Sequence, residues 1–131
     1  MNTRSSPPHI LAVDDEPINL ALFKAFFFGL PYTVTLCPSG ERAIEMLLNE
    51  THEVDAVVLD MMMPGLDGLD VLHALRADER TRGLPVIAQS GNGDAENIRK
   101  ALDAGASDYL VKPFVLNDLM ASLQRVAPGS F

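Results

Sequence analysis

Residues 56–67 read AVVLDMMMPGLD, an unbroken apolar run that ends on one carboxylate, Asp60, before a methionine triplet and a Pro-Gly turn. Apolar side chains at successive positions leave no polar face, so the run predicts a strand covered on both sides. Similar runs recur. HILAV, TVTLC, PVIAQ and DYLV are strand-length, and they alternate with the helix-length segments PINLALFKAFFFGL, SGERAIEMLLNE, LDVLHALRAD, DAENIRKALDAG and VLNDLMASLQRV. Five strands interleaved with five helices predict an α/β fold with a parallel sheet, right-handed crossovers and helices on both faces. Punctuation agrees: Ser39 and Asp94 are placed to cap the second and fourth helices, Gly68 follows a PGLDG turn, and Gly105 stops the fourth helix.

The chain has 131 residues, 47% hydrophobic and 21% charged, the size and make-up of one globular domain. The pattern occupies residues 9–126, leaving 1–8 and 127–131 as expected short flexible tails. No apolar stretch reaches the roughly 18 residues that cross a bilayer, and MNTRSSPPH lacks a signal-peptide h-region, so a cytoplasmic protein is expected, away from membranes. Ten Lys and Arg against 18 Asp and Glu give a net charge of -8, which opposes direct nucleic-acid binding. The single cysteine, Cys37, reads as a small buried hydrophobe in the second strand.

Open parallel sheets bind ligands outside the carboxyl ends of their strands. There the first strand runs into Asp14, Asp15 and Glu16, the third ends at Asp60, the fourth at Ser90, and the fifth at Lys112 before Pro113. Each has an ordinary reading on its own: helix caps for Asp14 and Asp15, a loop serine, a surface lysine, a strand-stopping proline. Together they are more specific. Carboxylates gathered at a dry rim raise one another's pKa unless a cation intervenes. Oxygen ligands with no His or Cys cluster point to Mg2+, for which Mn2+ could substitute. Lys112 adds positive charge and Ser90 a hydroxyl, which completes the parts needed to receive a phosphoryl group.

DDEPIN at 14–19, LDMMMPGLDG at 59–68, QSG at 89–91 and GASDYLVKPF at 105–114 resemble, in this order, the receiver domain of two-component response regulators over residues 9–126. The resemblance implies a flavodoxin-like (βα)5 three-layer sandwich whose five-stranded parallel sheet has the order 2-1-3-4-5. It implies that Asp60 is a phosphoacceptor, supplied by phosphohistidine on a sensor histidine kinase or a histidine phosphotransfer protein. Asp15 would bind Mg2+ together with Asp60 and the backbone carbonyl of Met62, and Asp14 would act through a water ligand. Ser90 corresponds to a switch hydroxyl, Tyr109 to the aromatic that follows it inward, and Lys112 to the residue that contacts the acyl phosphate. The Lys112–Pro113 peptide would be cis. The fourth helix, fifth strand and fifth helix would form the face that pairs into a homodimer or meets output partners. Met62 and Asn92, each two residues past a rim residue, are placed to tune the phosphoryl lifetime, while Met61 and Met63 read as loop filling. Gly91 stands where the family often has alanine, leaving the phosphate open and the following loop more flexible.

At 100° per residue, Leu22, Phe23, Phe26, Phe27 and Leu30 share one arc of the first helix and are expected to face the sheet. Ile18, Ala21 and Phe28 fall opposite, with Leu20 near the edge; they are either scattered exposed hydrophobes or a docking surface for the phosphohistidine protein. Three other functions fit less well. A nucleotide or flavin binder needs a Gly- or Ser/Thr-rich loop where DDEPIN stands. An Asp-nucleophile phosphohydrolase needs an enclosing cap, for which 131 residues leave little room. A receiver-like module that is never phosphorylated has no need of the full acidic set. Nothing after residue 126 looks like an output domain, so a stand-alone regulator and a piece of a larger protein such as a hybrid kinase both fit.

Overall fold

Burial, rather than strand length, distinguishes the central strands from the edges. In the computed structural model, which describes residues 6–131, the strands are β1 (His9–Val13), β2 (Thr33–Cys37), β3 (Ala56–Asp60), β4 (Val86–Ser90) and β5 (Asp108–Val111). They form one parallel sheet in the order β2-β1-β3-β4-β5. Every residue of β3 and β4 is buried, as their continuous apolar runs require, whereas β2 and β5 lie at the edges and stay partly open. Residues 1–5 of the expected N-terminal tail lie outside the described residues.

The connecting helices are α1 (Pro17–Phe27), α2 (Gly40–Ile44), α3 (Gly68–Ala77), α4 (Ala95–Asp103) and α5 (Leu116–Val126). Strand alternation sorts the core between them. Ile10, Ala12, Ala56, Val58 and Ile87 pack with Phe23 and Phe27 of α1 and Leu119 and Leu123 of α5. Leu11, Val13, Val57, Leu59, Val86 and Ala88 pack with α2, α3 and α4. The result is a three-layer flavodoxin-like fold. Caps fix the entries of the helices on the second side: Ser39 accepts from the Arg42 amide, Asp67 exchanges bonds with Asp70, and Asp94 accepts from the Asn97 amide. Cys37 is buried. No helix among the described residues is long and apolar enough to cross a membrane.

The structure departs from the sequence expectations in four places. Leu22 and Leu30 are 50% and 40% exposed instead of facing the sheet. Leu22 sits at the margin of the apolar arc, and Leu30 leaves it because α1 stops at Phe27, after which Phe28 turns extended and Gly29 takes a φ of 78°. The second helix continues past Ile44 as a π-helical turn over Glu45–Asn49. An apolar cluster of Ile44, Met46, Leu47 and Leu48 is too wide for one stripe of a 3.6-residue helix, and the wider turn packs the other three partly beside the buried Leu47. Neither Asp14 nor Asp15 is the N-cap of α1; Glu16 is, without a side-chain cap bond. Residues 127–131, expected as a tail, form a turn that stacks Phe131 on Tyr32 with ring centroids 5.9 Å apart.

Candidate functional site

Carrying the alternation of each strand into the residue at its end sends Asp14, Asp60, Gln89 and Lys112 to the α1/α5 side of the sheet rim, and Ser90 and Tyr109 to the α3/α4 side. On the first side the side chains are closely bonded. Lys112 Nζ donates to Asp14 Oδ2 at 3.1 Å and lies 3.4 Å from Asp60 Oδ2. Asp14 is fully buried and Asp60 2% exposed, so the ammonium meets both carboxylates away from bulk water. Asp14 Oδ1 accepts from the Glu16 amide at 2.9 Å, and Asp60 Oδ1 from the Met62 amide at 3.0 Å. These bonds give Asp14 a role beyond turning the chain into α1.

Burial pushes the Asp60 carboxyl up to about 6, against the Met62 amide bond and the Lys112 charge, with the Asp14 charge adding to the rise. Burial pulls the Lys112 ammonium down, but its bond to Asp14 and the charges of Asp60 and Asp14 outweigh that, and it ends above its ordinary value. With all groups ionised, the Lys112 ammonium offsets one of the three carboxylates Asp14, Asp15 and Asp60, which leaves two negative charges unbalanced. One oxygen from each of Asp14, Asp15 and Asp60 lies within 4.8 Å of the others. Two buried carboxylates and a third nearer the solvent, all hard oxygen donors, fit a magnesium-sized dication that keeps part of its water shell.

The loop after β3 is pinned close to this cluster. A Cβ on Gly68 would lie 2.6 Å from Met61 Cα, so only glycine lets the start of α3 pack against Met61. Met63 is buried beneath, whereas Met62 is 70% exposed at the rim.

On the other side, Ser90 is 2% exposed and its Oγ accepts from the Asn92 amide at 3.1 Å. The Tyr109 hydroxyl donates to the Asn92 carbonyl at 2.7 Å. Between them lies a cavity of about 120 Å3 lined by Met61, Met62, Ser90, Asn92, Ala101 and Tyr109, among others. Asn92 is exposed, with its side-chain oxygen accepting from the Asp94 amide. At Gly91 a Cβ would meet nothing within 4 Å, so no close contact there requires glycine. The Lys112–Pro113 peptide is cis. On the outer face of α1, Ile18 is 75% exposed, Ala21 is exposed and Leu20 is half-buried, and just past the helix end Phe28 is 86% exposed.

Sequence reasoning passed over Gln89. It is 1% exposed and donates from Nε2 to Asp14 Oδ2 at 3.3 Å. The signal was present, since Gln89 is the one amide in the otherwise apolar strand segment PVIAQ, directly before the serine.

Comparison with known proteins places this geometry among relatives. The family described as Response regulator receiver domain matches residues 10–124. A two-component response regulator of Oryza sativa, ORR11, is 32% identical over 94% of this chain and 83% of its own length. The response regulator MprA of a Mycobacterium species is 39% identical over 92% of this chain and half of its own. Among solved structures, the receiver domain of a sensor histidine kinase from Pseudomonas aeruginosa, with a magnesium ion coordinated in its active-site cleft, superposes with a TM-score of 0.83 at 35% identity, covering 93% of this chain and 98% of that one.

Proposed function

Because this chain belongs to the response regulator receiver domains of two-component systems, we propose that Asp60 accepts a phosphoryl group from phosphohistidine on a sensor histidine kinase or a histidine phosphotransfer protein. The observation that carries the proposal is a buried strand-end carboxylate within reach of two further carboxylates and a lysine ammonium. A carboxylate oxygen of Asp60 attacks phosphorus, an O–P bond forms, the N–P bond breaks, and the imidazole nitrogen keeps the electron pair. Lys112, released from Asp14, takes an oxygen of the new acyl phosphate. Asp15, Asp60 and the Met62 carbonyl would hold Mg2+, or Mn2+ in its place, with Asp14 held back to hydrogen-bond the ion's water shell. When bound, the ion would supply charge neutralisation at the phosphoryl oxygens. The backbone bonds on Asp14 and Asp60 keep both carboxylates aimed while this happens.

The Ser90 hydroxyl then exchanges the Asn92 amide for the phosphate, and the loop after β4 follows. Tyr109 gives up the Asn92 carbonyl and turns into the cavity beside Ser90. The face of α4, β5 and α5 changes shape, and this is the face that pairs or meets an output protein. Its bias cannot exceed the phosphate's preference for one packing over the other. The exposed side of α1, with Ile18, Leu20, Ala21 and Phe28, receives the phosphohistidine protein. Met62 and Asn92 set the phosphoryl lifetime. The domain works in the cytoplasm without touching nucleic acid itself, in keeping with its net charge of -8.

Incubation with acetyl phosphate and Mg2+ should add one phosphoryl group to the intact mass of the wild-type protein and none to Asp60→Asn. No gain in the wild type leaves a receiver-like interaction module instead. For the docking face, Phe28→Asp should slow phosphotransfer from the cognate phosphohistidine donor while leaving acetyl phosphate labelling intact; unchanged transfer removes α1 as the docking surface.

A further inference from the structure

The strand residue before Ser90 is an amide where an apolar side chain would satisfy the core. Gln89 is 1% exposed and lies on the same face of β4 as the buried Ile87. Burying a primary amide is costly unless it is hydrogen-bonded, and no buried side-chain nitrogen or oxygen among the described residues lacks a partner. The partner of the Gln89 Nε2 donor is Asp14 Oδ2, the same oxygen that Lys112 Nζ engages.

We infer that Gln89 is a positioning residue for the metal site, acting through Asp14. The inference rests on the reading of Asp14, Asp15 and Asp60 as the cation site. With Gln89 and Lys112 both on Oδ2, that oxygen has its two acceptor directions filled. Oδ1 takes only the Glu16 amide, so its remaining direction is the one open to the cation's water shell. The two donors on Oδ2 are not equivalent. Lys112 must leave for the acyl phosphate, whereas Gln89 is neutral, fixed in the central part of the sheet, and bonded across to Asp60's strand. When Lys112 departs, Gln89 keeps Asp14 from turning and keeps Oδ2 from being stranded without a donor in a dry site. An ammonium alone would leave Asp14's aim dependent on the group that has to move.

The test is Mg2+ binding to the unphosphorylated protein by titration calorimetry. Gln89→Met keeps volume and removes the donor, and the cavity of about 120 Å3 that Gln89 lines with Asn19, Phe26 and Phe114 gives the longer thioether room to settle. It should weaken Mg2+ binding by about tenfold. In an Asp14→Asn background the same substitution should change nothing further, because the two residues act as one unit. An unchanged affinity in Gln89→Met, or an equal loss with and without Asp14, overturns the inference, and Gln89→Leu repeats the measurement if the methionine variant does not fold. The wild-type protein supplies a second readout: the Gln89 side-chain amide protons should exchange slowly with water and shift as Mg2+ is added. Exchange as fast as that of a surface glutamine overturns the inference. Failure of the wild type to bind Mg2+ at all would overturn the cation site as well, whereas wild-type binding with an indifferent Gln89→Met overturns only Gln89's part.

Discussion

The two sides of the sheet rim are built on opposite principles. Towards α1 and α5, Asp14, Asp60, Gln89 and Lys112 satisfy one another with fixed bonds, and each of the two buried carboxylates is also held by a backbone amide. Towards α3 and α4, Ser90 and Tyr109 both bond to the backbone of one exposed residue, Asn92, across a cavity of about 120 Å3. The first side holds buried charge that must stay paired; the second holds neutral contacts to an exposed loop, which a new hydrogen-bonding group can replace at modest cost. The phosphoacceptor role proposed for Asp60 calls on both. Rigid charge sets where phosphorus goes, and a loosely held neighbour makes its arrival felt elsewhere.

The sharpest way to break this contrast is to remove charge from the rigid side. Without metal, Asp60 holds its proton more tightly in the folded chain than in the unfolded one, at about 6 against an ordinary 3.8. The folded state thus gains most from this group below the unfolded value and loses that gain as pH rises through the folded one. At neutral pH the ionised carboxylate costs up to about 3 kcal/mol. Asp60→Asn should therefore be more stable than wild type by up to that amount at pH 7 in EDTA, with the advantage vanishing near pH 4 and shrinking when Mg2+ is added. Urea midpoints at the two pH values measure it. A variant no more stable at pH 7 would mean that Lys112 already balances the site and that no second cation is called for.

How far the sequence reveals each side follows from the same contrast. The charged side was legible because carboxylates and a lysine at strand ends are exceptions to an apolar pattern, and exceptions stand out. The fold was legible because β3 and β4 begin with unbroken apolar runs, AVVL and VIA, that must be covered on both faces. Gln89 was legible in principle but reads as the tail of a strand until its neighbour Asp14 is placed 75 residues away. Leu22 misled because it sits at the margin of the apolar arc, and Leu30 because a helical wheel assumes a helix that continues, whereas α1 ends at Phe27. The cavity between Ser90 and Tyr109 has no sequence signal at all, since it is space left by residues of α3, β4, α4, β5 and the loops after β3 and β4.

On the loosely held side a smaller effect is expected. Tyr109→Phe removes the donor to the Asn92 carbonyl but keeps the ring, and because that carbonyl can turn to water the loss should be about 0.5–1 kcal/mol. Urea unfolding gives the energy. Amide shifts on adding beryllofluoride with Mg2+ give the consequence, which should be a smaller response in α4 than in wild type. A loss several times larger would place Tyr109 among the rigid contacts and erase the distinction between the two sides.

The finest test falls where the two sides meet. Met62 donates its backbone amide to Asp60, on the charged side, while its side chain lines the cavity of the other and is 70% exposed. A thioether offers water no useful hydrogen bond, so it does nothing to orient a molecule attacking the acyl phosphate. Asn92, the other residue near enough, already has its side-chain oxygen on the Asp94 amide. Met62→Asn keeps the backbone bond and adds a carboxamide at the rim, which should speed loss of the phosphoryl group by roughly twofold or more, about 0.4 kcal/mol of barrier. Decay of the phosphorylated protein, followed by intact mass after acetyl phosphate is removed, measures it. An unchanged decay rate would mean that attacking water is governed from the buried side, by groups already fixed around Asp60, and that the exposed rim has no part in timing the signal.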